Sequence, residues 1–277
     1  MPNIVRHITK ALSANRYATA LLVVAVVFCV TFAAFAMTGK TTIYFYSSET
    51  TINNFKLLKM EFDRYLSRFG PYEFQPFSDR EAFEKHVKDK GQCLLLLSSW
   101  HYRNIYKGYS LKATLAGTRK GKKYQTRVLV SKDVTVRTGR IASASSVQHT
   151  SSYLKTMLKE KGLIDKAKIL TVPKDIDALM SVGFGMSKLA LTTRNALDEL
   201  KMANPALHQK MMVLAEGEES LSLIVAVPER FQKDAEKMVT VIQKMAADPE
   251  GKEKLRMLGL DGWQTLDPSD KLKLETK

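Results

Sequence analysis

Cysteine is nearly absent from this chain. Its 277 residues hold only Cys29 and Cys93. Cys29 lies inside an N-terminal apolar run, so the rest of the chain has one thiol, no intrachain disulfide, and a fold that must stand on its core. Cys93, just ahead of Leu94-Leu95-Leu96-Leu97, reads as a small buried hydrophobe. Histidine is scarce too: His7, His86, His101, His149 and His208 include no pair at metal-ligand spacing with a third ligand nearby, which argues against zinc. No Gly-x-Ser-x-Gly elbow occurs, His149 has no orienting acid close in sequence, and Gly183-Phe184-Gly185 is too short for a dinucleotide loop. The expectation is therefore no catalysis, no metal and no cofactor. Repeats and low-complexity tracts are absent. Acids are in deficit, 28 against 43 Lys and Arg, a net charge of +15.

The chain does have one long apolar run, Tyr17 to Met37, behind Arg6, Lys10 and Arg16 and without any preceding acid. Positive charge held on the cytoplasmic side sends Thr38 onward outward. Ala34-Phe35-Ala36 is a small-x-small site that signal peptidase accepts, which favours a cleaved signal over residues 1–36. A run close to the ~20 residues of a spanning helix favours a retained anchor instead. Both fates stay open, and both put the rest of the chain in the periplasm, anchored in the inner membrane by residues 17–37 in the second case. Loss of residues 1–36 leaves 40 basic against 28 acidic side chains, +12. Such a surface attracts anions. Export, and basic residues spread without an interleaved aromatic motif, argue against nucleic acid.

Beyond Thr41, strand and helix patterns alternate. Thr42–Tyr46 is β-branched and aromatic. Asn53–Phe69 carries Phe55, Leu58, Phe62 and Leu66 at helical spacing, and Tyr72–Phe77 (strand), Asp79–Lys88 (helix) and Cys93–Leu97 (buried strand) follow. Tyr109–Thr118 and Tyr124–Ser131, joined by Arg119-Lys120-Gly121-Lys122-Lys123, predict a β-hairpin with a cationic tip. The alternation restarts with strand Ile141–Ala144, helix Val147–Lys161, strand Ala167–Val172, helix Ile176–Val182, strand Lys188–Thr192 and helix Arg194–Met202. Leu221–Val227 is another strand, a long helix follows from Pro228 to about Ala247, and a shorter one ends near Leu258-Gly259. This pattern predicts an α/β fold of two lobes, each a mostly parallel sheet flanked by helices. Lobe one spans residues 42–135 plus 214–277, and lobe two spans 136–213.

Three strand-to-helix junctions carry hydroxyls: Ser47-Ser48-Glu49-Thr50-Thr51, Ser98-Ser99, and Ser145-Ser146 through His149-Thr150-Ser151-Ser152. Junctions of this kind gather at the carboxyl ends of parallel strands, where open α/β sheets hold ligands. Helix N-termini there favour an anion. The plainer reading of each cluster is an N-cap.

These residues resemble a known family. His149-Thr150-Ser151-Ser152-Tyr153-Leu154 is similar to the Ser-Thr-Ser-Gly-Tyr motif of the phosphate/phosphite/phosphonate-binding periplasmic proteins, type II solute-binding proteins of ABC transporters. Leu94–Ser98 with Trp100 and Tyr102 resembles the family's strand and loop with Gly-Pro-x-x-Tyr. Tyr124–Ser131 resembles its Tyr-x-Ser-Val-Leu-Val strand, and Leu258-Gly259-Leu260-Asp261-Gly262-Trp263 its closing Gly-Ile-x-Gly-Phe element. The chain departs from the pattern at Ser152, where the family has glycine, and at Leu189-Ala190-Leu191-Thr192-Thr193, where it has Ala-Asp-x-Gly. His149 takes the first Ser position; with an ordinary pKa near 6.5 it makes binding pH-dependent, unless it is a solvent-facing cap.

The resemblance implies a two-lobed type II periplasmic-binding-protein fold that closes on a small anionic ligand and works as a monomer with an ABC transporter permease or another inner-membrane partner. Tyr46, Ser47, Ser48, Thr50, Ser98, Ser99 and Trp100 would line the cleft from lobe one, and His149, Thr150, Ser151, Ser152, Tyr153, Thr192 and Thr193 from lobe two. The alternative is a membrane-anchored sensory or scaffold protein that keeps the fold with a diverged or inactive cleft.

Overall fold

The computed structural model describes residues 40–88, 90–136, 138–158 and 168–275. The expectations for residues 1–36 and for the run 17–37 lie outside them. Among the described residues, no helix is long and apolar enough to cross a membrane.

The first lobe starts as two successive strand–helix–strand units. Strands β1 (Thr41–Tyr46), β2 (Tyr72–Pro76) and β3 (Cys93–Ser98) alternate with helices α1 (Phe55–Leu66) and α2 (Arg80–Val87). Asn54 and Asp79 cap the two helices, their side chains accepting from the Leu57 and Ala82 amides at 2.8 Å each. β1 lies between β2 and β3 and runs parallel to both, with Thr42 opposite Cys93. The unbroken apolar run of β3 follows from burial on both faces. Leu94 and Leu96 join Ile43, Phe45, Phe62 and Phe74 on one side, while Leu95 and Leu97 join Tyr44, Tyr46, Phe83 and Tyr102 on the other.

Ser98 runs directly into a short helix, α3 (Ser99–Ile105), at the second of the hydroxyl-bearing strand-to-helix junctions. β4 (Leu111–Thr118), β10 (Leu223–Pro228) and β11 (Gly262–Thr265) complete a six-stranded sheet in the order β11-β4-β10-β3-β1-β2. β10 pairs antiparallel with β3 and β4, and β11 pairs antiparallel with β4. The sheet is therefore parallel only around β1.

The second lobe has the same plan. β6 (Ile141–Ser143), β7 (Ile169–Thr171) and β8 (Leu189–Thr193) are parallel, with β5 (Tyr124–Ser131) and β9 (Met212–Leu221) antiparallel beside them, in the order β7-β6-β8-β5-β9. Helices α4 (Val147–Leu158), α5 (Asp175–Gly183), α6 (Arg194–Ala203) and the single turn α7 (Pro205–His208) accompany them. β9, ten residues long, occupies the stretch between the Arg194–Met202 helix and the Leu221–Val227 strand of the sequence pattern.

The hairpin expected from Tyr109–Thr118 and Tyr124–Ser131 does not form. The tight turn is present: Arg119 and Lys122 exchange backbone hydrogen bonds of 2.9 and 3.0 Å, with Lys120 and Gly121 at positive φ. Beyond that bridge the strands part, β4 into the first sheet and β5 into the second. A turn sequence fixes local geometry, whereas pairing is decided by which apolar surface covers each strand. The chain thus changes sheet between Thr118 and Tyr124, and again between Leu221 and Leu223, so β5 and most of β9 lie with the second sheet.

After β10, helices α8 (Gln232–Gln243), α9 (Pro249–Met257) and α10 (Pro268–Glu275), the last outside the sequence pattern, pack back on the first lobe. α10 ties down the first crossing. Its buried Asp270 accepts from Lys123 Nζ at 2.6 Å and from the Tyr124 hydroxyl.

Candidate functional site

The carboxyl ends of β1 and β3 in one lobe face those of β6, β7 and β8 in the other, and the junctions that follow these strands meet between the lobes. From the first lobe come the loop after β1 and the start of α3. The Ser47 and Ser98 hydroxyls lie 3.2 Å apart, Ser47 Oγ accepts from the Glu49 amide at 3.1 Å, and the Thr50 hydroxyl donates to the Ser47 carbonyl at 3.5 Å. Trp100 Nε1–H donates to Ser48 Oγ at 3.3 Å. Ser99 Oγ donates to the Leu221 carbonyl at the second crossing.

From the second lobe comes the start of α4. The His149 ring lies 5.4 Å from that of Trp100 and 6.0 Å from that of Tyr153, forming an aromatic row across the two lobes. Tyr153 reaches so close to β9 that a Cβ on Gly217 would lie 2.2 Å from its hydroxyl; the row is seated because residue 217 has no side chain. Helix α4 starts at Val147, so its first turn is held by Ser146, whose Oγ accepts from the His149 amide and whose carbonyl accepts from the Thr150 amide. Thr150 Oγ1 donates to Ser143 Oγ at 3.0 Å within its own lobe. Ser151 is half-buried and Ser152 exposed, both past the turn whose amides are free. Tyr46 packs against Phe83 and edge-on to His101 in the core. Thr192 Oγ1 donates to the Asp175 carbonyl at 2.9 Å, and Thr193 caps α6 by accepting from the Ala196 amide. The hydroxyls of Ser47, Ser48 and Ser98 thus sit with Trp100, His149 and Tyr153, while Tyr46, Thr192 and Thr193 serve core and cap.

The strongest feature of the site was not among the residues singled out from the sequence. Arg127 on β5 is 2% exposed, and it lies between Glu49, 5% exposed, and Asp175, 1% exposed. Its Nη2 is 3.4 Å from Glu49 Oε1 and its Nη1 is 3.4 Å from Asp175 Oδ1. The Arg127–Glu49 pair links the lobes; the Arg127–Asp175 pair lies within the second. Glu49 Oε2 and Asp175 Oδ2 are buried without a hydrogen-bond partner among the described residues. Burial, reinforced by the Glu49 charge, pushes the Asp175 carboxyl up to about 7, with Arg127 pulling the other way. One signal for Arg127 was available: a single charge in a strand whose next residues are Val128-Leu129-Val130 implies a buried cation, which needs a partner.

His149 is half-buried, between the Trp100 and Tyr153 rings. Burial first, then Arg127 and Arg103, pushes its pKa down to about 3. Since the folded value lies below the unfolded one, stability is lost as pH falls below about 6.5, at ~1.4 kcal/mol per unit at most. The raised pKa of Asp175 has the opposite sign, favouring the folded state as pH falls from about 7 toward 3.8. His149→Phe isolates the first effect: unfolding titrations at pH 6.5 and 5.5 should show wild type losing about 1 kcal/mol more than the variant. Equal losses would mean that the half-buried ring keeps its charge solvated in the fold.

A separate cavity of about 580 Å3 opens at the opposite end of the first sheet, lined by Lys88, Lys90, Cys93, Tyr109 and Arg230. Cys93 is buried there, as its sequence context predicts, and burial raises its thiol to about 12. Among the described residues, no group of His, Cys, Asp and Glu is arranged to hold a metal ion.

No protein-family model matches the chain, and no curated protein matches it by sequence. Its fold, in contrast, is similar to several solved structures. XAC2383 from Xanthomonas citri, solved with a chloride ion (14% identical) and with ATP (15% identical), aligns at TM-score 0.64 over 85% of this chain and 94% of that one. A binding-protein component of an ABC phosphonate transporter from Pseudomonas aeruginosa aligns at TM-score 0.65, 11% identity, over 84% of this chain and 83% of that one. PhnD1 from Prochlorococcus marinus in complex with methylphosphonate aligns at TM-score 0.61, 12% identity, over 84% and 94%. The likeness is one of fold, the two-sheet mixed α/β architecture of periplasmic solute-binding proteins.

Proposed function

We propose that this chain is an extracytoplasmic solute-binding protein that captures a small oxyanion of the phosphate, phosphite or phosphonate class between its lobes and presents it to an ABC-type importer, binding without turnover. The observation that carries this reading is the meeting, between the two sheets, of the Ser47, Ser48 and Ser98 hydroxyls with the Trp100, His149 and Tyr153 rings, on the segment whose Glu49 pairs with the Arg127 guanidinium. Hydroxyls and a planar fork of N–H donors suit an oxyanion, and the rings suit a short organic substituent. The similar structures described as a phosphonate-transporter component and a methylphosphonate complex point the same way. The cationic, then apolar N-terminus supports export.

The test is a thermal-shift screen of the Thr38–Lys277 chain against phosphate, phosphite, methylphosphonate, sulfate and small carboxylates. A ligand at 100 times its Kd adds ~2.7 kcal/mol to the folded state, a rise on the order of 5–10 °C for a chain of this size. A rise with one phosphorus oxyanion is expected. No rise with any of them would favour the anchored sensory or scaffold reading, which one observation already supports: a carboxylate of the chain itself, Glu49, lies against Arg127.

A further inference from the structure

The second lobe grips one segment of the first. The Asp175 amide, at the start of α5, donates to the Ser48 carbonyl at 2.8 Å. Arg127 takes the Glu49 side chain, and Arg119, at the crossing, takes the Glu49 carbonyl at 3.1 Å. The Thr51 hydroxyl donates to Glu199 Oε2 at 2.8 Å, and Lys174 Nζ donates to the Ile52 carbonyl at 2.7 Å. Main-chain carbonyls at residues 48, 49 and 52 and side chains at 49 and 51 are thus read in turn, as a bound peptide would be. Two of the donors, a helix-start amide and a buried guanidinium, are groups that otherwise attract free anions.

We propose that Arg127 is the anion-reading residue of the cleft and that Glu49 is its built-in occupant, so that segment Ser48–Ile52 acts as a tethered ligand holding the lobes together. This rests on the oxyanion reading above for its ligand class, but the tether itself stands on the contacts. A buried guanidinium already shared by Glu49 and Asp175 offers an incoming oxyanion little net positive charge, and the nearby Glu49 charge repels it. An external anion must therefore displace Glu49, and the segment must let go of the second lobe when it does. Arg127 meets only one of the two Glu49 carboxylate oxygens, Oε2 having no partner among the described residues; a ligand able to engage the fork with two oxygens competes on better terms.

The test uses the full chain with Cys29→Ser and Cys93→Ala, spin-labelled at Met60→Cys in the first lobe and Met202→Cys in the second, both exposed side chains. Pulsed electron–electron distance distributions are recorded for this background, for Glu49→Gln and for Glu199→Ala, which removes the acceptor of the Thr51 hydroxyl, and inorganic phosphate and methylphosphonate are titrated into each. Both variants are expected to broaden the interlobe distance or shift it longer. Glu49→Gln is also expected to bind the anion at least tenfold more tightly than the background. The two variants cut the tether at different points, so misfolding of one leaves the other to decide. Distances unchanged in both would overturn the tether. Longer distances without anion binding in any variant would uphold the tether and overturn the oxyanion reading. Anion binding tightened by Glu49→Gln but unaffected by adding Arg127→Gln would overturn the role of Arg127.

Discussion

Replacing Arg127 by methionine is expected to destabilise the protein by ~3–5 kcal/mol at pH 8, because it leaves Glu49 and Asp175 buried without a cation. The stem of Arg127 is matched in length by methionine, so little of the loss comes from packing. The cost should depend on pH in a definite direction. Asp175 already holds its proton up to about 7 beside Arg127, and without the guanidinium its pKa moves higher still. A carboxyl with a raised folded pKa stabilises the fold as pH falls toward its unfolded value. The deficit of Arg127→Met should therefore shrink between pH 8 and pH 5. Urea unfolding of wild type and variant at both values measures this. A deficit below ~1 kcal/mol, or one equal at both pH values, would mean that the three groups share water rather than a dry cluster.

The second large effect lies in the first lobe's core. Phe74 is fully buried; its ring stacks on that of Phe62 at 4.2 Å between centroids and on Phe45 at 5.7 Å. This stack joins β2, α1 and β1, so it is the seam of the first strand–helix–strand unit. Phe74→Ala should cost ~3–5 kcal/mol, while Phe74→Leu, which refills most of the space, should cost much less. Equilibrium denaturation of the pair decides it. Equal, small losses would show that the seam collapses to fill the gap, contrary to the tight packing on which β1 and its loop depend.

The first unit could be read from sequence because its signals are local. Phe62 and Leu66 repeat at helical spacing, Asp79 caps the helix that it begins, and Cys93–Leu97 is too short and too apolar for anything but a central strand, although the cap of α1 falls on Asn54 and not on the Ser47–Thr51 run that the sequence offers for it. The sheet change after Thr118 could not be read. Arg119-Lys120-Gly121-Lys122 encodes a tight turn, and nothing within a few residues tells whether the next strand folds back or crosses to another sheet. α3 begins where the Ser98-Ser99 hydroxyls mark a strand-to-helix junction, with no intervening turn. At the site, Ser47, Ser48, Ser98 and Trp100 were visible as hydroxyls and an aromatic at strand ends. The Arg127 cluster was not, since its members lie 78 and 48 residues from one another along the chain. Glu49 was in plain view inside a run of capping residues, and only its partner shows that it is buried for another reason.

Hydrogen–deuterium exchange of the chain with and without saturating phosphate or methylphosphonate tests the central claim most directly, because it reports where an anion sits as well as whether it binds. A ligand held between the lobes should slow exchange at Ser98–Trp100 and at Ser146–Thr150, and leave Gly108–Leu111, beside the far cavity, unchanged. Protection confined to Gly108–Leu111, or protection nowhere, would contradict a binding site between the two lobes.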